Sequence, residues 1–211
     1  MYLAATVPGT WVMTARTSGS SCLCSLVAVA RSFALIGGKA AVAHRQRVPE
    51  EPLPITLGGV ALRIDPETAD WAREEARASG LPHNEARAVF TEIITYVLTE
   101  RAIGRIGRGW VTREDTKEWE RLRKALLKEL GADDTFTAAL DELWPVLTPE
   151  EVLGPLYTSP ERLRAAGAGQ VLARADGTAW TVSDVPLLDE LVDLLGRDKA
   201  ADQAKERAVE Q

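Results

Sequence analysis

The sequence predicts a mainly α-helical chain with one small β-hairpin, and three observations carry that expectation. The stretch "LPITLGGVALRI" sets two short apolar runs on either side of Gly58-Gly59. Apolar residues recur at i, i+3, i+4 spacing from Ala86 to Leu98. Three further segments open with a capping residue followed by proline: Asp65-Pro66, Thr148-Pro149 and Ser159-Pro160.

In chain order, residues 1–40 stand apart from the rest. They are rich in Ser, Thr, Ala and Gly, lack acid and hold no period for long. They are expected to form a poorly ordered leader, a targeting peptide or out-of-frame translation, with at most a short helix near 26–35. From Pro49 the pattern becomes regular. A two-residue Gly-Gly loop supplies the positive φ angles of a tight hairpin. In "DPETADWAREEARASG" Asp65 is placed to cap, Pro66 fits the first helical position, and Gly80 sits where a helix stops.

"NEARAVFTEIITYVLTERA" holds the strongest helical stripe: Ala86, Val89, Phe90, Ile93, Ile94, Val97 and Leu98. Gly104, Gly107 and Gly109 should end it. Thr112 and Asp115 stand in capping-box-like spacing before a helix with the stripe Trp119, Leu122, Leu126 and Leu130. "DDTFTAALDELW" reads as a shorter helix stopped by Pro145. "TPEEVLGPLY" pairs Thr148 with Glu151 in a capping box, and "SPERLRAAG" repeats the serine-proline start. In "SDVPLLDELVDLLG" five leucines share a face and Gly196 is the stop. The tail, 196–211, is polar and helix-favouring with little apolar face.

Charge narrows the function classes. The 211 residues carry 25 basic and 31 acidic side chains. Residues 1–48 hold five Lys/Arg and no acid, so the remainder has a net charge of −11. A body this acidic argues against a surface that tracks phosphates, and no direct nucleic-acid contact is expected. It suits a partner with a basic surface, or simply solubility. No apolar run is long enough to span a bilayer, so no membrane contact is expected. Cys22 and Cys24 have no zinc spacing, and a reducing, cytoplasmic setting is the default.

The candidate chemistry does not hold up. His83 is one of two histidines, with Asn84, Glu85 and Arg87 beside it. A catalytic imidazole needs a nucleophile or an orienting acid in reach, and a metal needs further ligands. No set of such residues can be named, so His83 and Asn84 are expected to cap or pack a helix. "LIGGKA" ends like a phosphate-binding loop, but Phe33 stands where the first Gly should be and Ala40 replaces Ser/Thr. "VPLLDE" resembles a Walker B strand, yet Pro186 and the leucines past Asp189 fit a helix better. The tryptophans Trp71, Trp110, Trp119, Trp144 and Trp180 are not interleaved with basic residues and are expected to pack in the core and at helix junctions.

Taken together, "HRQRVPEEPL", "LPHNEARAVF", "LDELWPVLTPEEVL", "SPERLRAAG" and "WTVSDVPLLDELVDLLG" follow one another in an order that resembles actinobacterial HelD-type proteins. These are UvrD/Rep-like, superfamily 1 helicase relatives that bind RNA polymerase and use ATP to release it from stalled complexes. The resemblance covers about residues 41–211, and His83, Asn84, Glu85, Arg87, Trp144, Pro145 and Pro186 are the signature positions. It implies a helical insertion in the first motor domain, between the phosphate-binding loop and the Walker B strand, that wedges open the polymerase clamp. On that likeness residues 41–195 form the helical module, residues 1–40 are unmatched and 196–211 is a truncated tail. RNA polymerase is the implied partner, and ATP and magnesium belong to the parent family. This chain, read as an internal piece without Walker motifs, is expected to hold neither and to lack catalytic, cofactor and metal residues of its own. Asp133, Asp134, Glu150 and Glu151 are the candidate partner-facing acids, although each also suits a helix start. The alternative is a DNA-contacting accessory domain of a UvrD-like helicase.

Overall fold

The computed structural model describes residues 38–46, 48–106, 116–165 and 172–197. Among them it is mainly helical, with one antiparallel hairpin of β1 (Leu53–Leu57) and β2 (Val60–Ile64). The eight described helices are α1 (Lys39–Arg45), α2 (Pro66–Ala78), α3 (His83–Ile106), α4 (Thr116–Leu130), α5 (Asp134–Leu143), α6 (Pro149–Tyr157), α7 (Pro160–Ala165) and α8 (Val185–Leu195). A short 3-10 turn, Val182–Asp184, leads into α8.

The hairpin turns at Gly58 and Gly59, with φ of 59° and 71°. A side chain at Gly58 would also collide, since its Cβ would lie 2.6 Å from Cδ1 of Ile106 and 2.8 Å from Cδ2 of Leu126. The turn therefore tucks against the end of α3 and the middle of α4, and the Gly58 N–H donates to Glu129 Oε1 at 2.8 Å.

Alternation along both strands puts Ile55, Leu57, Leu62 and Ile64 on one buried face. That face and α2, α3, α4 and α5 enclose the larger core, whose centre is α3 with Phe90, Ile94, Leu98, Ala102 and Ile103. The α2 face that meets it is Ala69, Ala72 and Ala76, small enough for a close approach of helix to helix. A second core gathers Val42 of α1, Leu147, Val152, Leu153, Leu156 and Tyr157 in and before α6, Leu163 of α7, and Leu187, Leu191 and Leu195 of α8.

Several expectations need correction. Helix α3 runs through Gly104 to Ile106 instead of stopping at the glycine, because Ala102, Ile103 and Ile106 continue its apolar face against the hairpin. Asp65 precedes α2 but makes no side-chain cap bond; its carboxylate receives Arg101 of α3 at 3.0 Å. Val89, Ile93 and Val97 are only partly buried, at the edge of the stripe. Trp71 and Trp180 are not core residues, being 47% and 38% exposed, whereas Trp144 is buried and Trp119 leans on the core. Helix α1 has no counterpart in the sequence reading and owes its place to Val42 in the second core. "VPLLDE" lies in helix α8, as expected, with Pro186 in its first turn. The leader helix near 26–35, Thr112, Asp115, Trp110 and most of the polar tail lie outside the described residues.

Candidate functional site

Six of the seven signature positions meet where the two cores touch; Pro186 lies apart, in the first turn of α8. Trp144 ends α5 and lies flat on His83, with ring centroids 5.2 Å apart and planes at 15°, and it also contacts Phe90. Its indole N–H donates to the His83 carbonyl at 3.0 Å. The His83 ring returns a bond to the connector between α5 and α6, with Nε2 2.8 Å from the Pro145 carbonyl. A carbonyl only accepts, so Nε2 carries the proton and Nδ1 is the acceptor. The amide of Gln46 donates to Nδ1 at 3.4 Å, and its oxygen takes Nε of Arg77 at 3.1 Å and also Nη2.

Asn84 supplies the other half of the joint. Its Oδ1 accepts from the Leu147 N–H at 3.0 Å, while Nδ2 donates to the Leu147 carbonyl at 3.0 Å and the Gly196 carbonyl at 3.2 Å. One side chain thus ties α3 to the start of α6 and to the end of α8. Gly196 takes φ +69°, and a Cβ there would sit 2.5 Å from Cβ of Pro82. Arg87 completes the fastening, donating to the Trp144 carbonyl at 3.0 Å and to Asp141 at 2.7 Å. Neither His83 nor Asn84 caps its own helix; both reach across to other segments, which corrects the capping expectation. Glu85 is half-buried in the first turn of α3, beside Gly196.

Burial pushes the His83 imidazole below its ordinary value, against the raising effect of the Pro145 carbonyl, and the Arg87 and Arg77 guanidiniums lower it further. With both ring nitrogens committed inside the protein and the residue nearly inaccessible, the ring works as a fastener rather than as an exposed base.

A second polar knot lies under the loop before α8. The Asp184 carboxylate, almost fully buried, accepts from the Tyr157 hydroxyl at 2.7 Å. Arg174 grips it with two bonds, at 2.8 and 2.6 Å, and the Thr181 N–H and hydroxyl add two more at 2.7 and 2.8 Å. The Arg174 guanidinium also stacks over Tyr157, 4.2 Å from the ring centroid. Arg174 and the hydrogen bonds from Tyr157 and Thr181 hold the Asp184 carboxyl well below the usual carboxylate range, although burial opposes them. Burial and the neighbouring carboxylate push the Tyr157 hydroxyl far up. Neither group exchanges protons near neutrality.

Sequence reasoning missed Gln46, Arg174, Tyr157 and Asp184. The Thr181-to-Asp184 spacing before an apolar run is a capping-box signature and could have flagged the last. Of the four candidate acids, two are engaged locally. Asp133 caps α5 through the N–H groups of Thr135 and Phe136. Glu151 accepts from the Thr148 N–H at 2.9 Å while its own N–H donates to the Thr148 hydroxyl at 3.3 Å. Asp134 and Glu150 are exposed. Among the described residues there is no cluster of His, Cys, Asp and Glu suited to a metal, and no helix is long and apolar enough to cross a membrane. No family model matches the chain, and no curated protein shows a significant match.

Proposed function

We propose that this chain is a binding module that docks on RNA polymerase, as the insertion of a HelD-type ATPase would, with ATP chemistry belonging to the parent family. The observation that supports this reading is the convergence of four of the five quoted segments, all but "SPERLRAAG". Gln46 of "HRQR", His83, Asn84 and Arg87 of "LPHNEAR", Trp144, Pro145 and Leu147 of "DELWPVL", and Gly196 after α8 all meet at one joint. The residues that carry the resemblance thus serve to hold two helical cores in a fixed relation, which is what a scaffold that works by shape requires. Asp189 and Glu190 lie on helix α8 rather than at the end of a strand, so they are not placed as a Walker B pair.

The acidic balance of the body suits the basic channels of a nucleic-acid polymerase. Asp134 and Glu150 are the acids of the four that make no hydrogen bond among the described residues. The test is a pull-down of purified core RNA polymerase by the full chain. Binding should be retained at low salt, weaken as salt rises, and weaken in Asp134→Lys/Glu150→Lys. No binding at low salt would sink the reading.

A further inference from the structure

Two outward helix faces of this chain carry one pattern with opposite charge. On α4, Lys117, Arg121, Lys124 and Lys128 form an exposed stripe, and Leu127 lies beside it, 38% exposed. On α8, Asp189 and Asp193 are exposed one turn apart, and Val192 lies beside them, 52% exposed. Lys124, Leu127 and Lys128 thus stand at the same i, i+3, i+4 positions as Asp189, Val192 and Asp193, a spacing that shares one helix face.

Neither face gains from its own helix. Like charges one turn apart weaken a helix slightly. Asp193 also stands in the last turn of α8, where a carboxylate opposes the dipole. A lone exposed leucine or valine is ordinary; the matched placement of the two is the observation. Antiparallel packing of two helices keeps positions on the same side of each face together. It sets Leu127 by Val192, Lys124 by Asp193 and Lys128 by Asp189, with the two dipoles opposed. Glu120, one turn before Lys124, is the acid on this side of α4, and the same approach carries it toward the exposed Arg197 beyond the end of α8. Within one molecule the two helices belong to different cores and turn these faces to solvent.

We propose that the α4 face of one copy of this chain docks on the α8 face of a second copy. The contact is heterologous, so every copy offers both halves. It is independent of the polymerase reading. The net charge of −11 over residues 49–211 repels copies at a distance. At about 0.15 M salt that repulsion is screened beyond roughly 8 Å, whereas the facing pairs act at contact.

The test is sedimentation equilibrium of the full chain over a concentration series at about 0.15 M salt. Self-association that grows with concentration and weakens at about 1 M salt is expected. Lys124→Glu/Lys128→Glu and Asp189→Lys/Asp193→Lys should each weaken it about tenfold or more. Val192→Ser, which leaves every charge in place, should weaken it too. An equimolar mixture of the two charge-reversed variants should restore it, because one reversed and one native contact can then form. All five side chains are exposed, and near-UV circular dichroism checks that each variant is folded. A monomer at every concentration, unchanged association in either charge-reversed variant, or a mixture that stays monomeric would each overturn the assignment.

Discussion

Both ring nitrogens of His83 are spoken for, and this gives the residue a pH dependence whose sign can be worked out. Protonation would put an N–H on Nδ1, facing the N–H of the Gln46 amide. Turning that amide over would only move the conflict, because its nitrogen would then face the Arg77 guanidinium that now donates to its oxygen. Arg87 and Arg77 add two cations nearby, and Lys39 and Asp193 line the adjoining cleft. The folded pKa therefore lies below the unfolded one, so on acidification the unfolded chain takes up the proton first. The stabilisation is complete above the unfolded value, near pH 6.5, and declines as pH falls from there toward the folded pKa. Urea midpoints measured from about pH 7.5 down to about pH 5 should fall for the wild-type chain. His83→Gln keeps a donor for Pro145 but cannot charge, so it should be less stable at neutral pH and have a shallower slope. An identical slope in the two proteins would remove His83 from the account.

At the scale of elements, α8 depends on a knot that lies before it. Asp184 joins α6, through Tyr157, to the loop carrying Arg174 and Thr181, and so fixes the angle at which α8 enters the second core. Tyr157→Phe removes one hydrogen bond to a buried carboxylate without opening a cavity. It should cost about 1.5–3 kcal/mol in urea unfolding, and a loss below about 0.5 kcal/mol would mean that Arg174 and Thr181 suffice. The elements themselves were legible in the sequence wherever local chemistry decides them. The Gly58-Gly59 turn, the Thr148–Glu151 box and the leucine face of α8 all depend on neighbours within one or two turns. Gln46, Arg174 and Tyr157 were not legible, because their partners lie 37, 10 and 27 positions away. The run through Gly104 was misread for a similar reason: contact with the hairpin outweighs the roughly 1 kcal/mol cost of a helical glycine. His83 and Asn84 were noticed, but cap propensity is local, while their actual bonds reach the 145–147 connector and Gly196.

Across the whole molecule, two cores of unequal size are held in register by a few polar ties. The larger core surrounds α3, and the smaller is shared by the short helices α1, α6 and α7 with α8. The smaller one buries less apolar surface and has fewer helical turns of its own, so its stability rests more on what it is fastened to. Asn84 is the most connected of the ties, since it satisfies both the N–H and the carbonyl of Leu147 and also reaches Gly196. In Asn84→Ala the Leu147 N–H loses its partner, and a loss of about 2–3 kcal/mol is expected. The distribution of that loss is the sharper prediction. Native-state hydrogen exchange should show protection falling in α6 and α8 while the amides in the middle of α3 keep theirs, because the larger core retains its packing when the tie is cut. An equal fall in protection across both cores would mean that they form one cooperative unit, and that the joint is simply its centre.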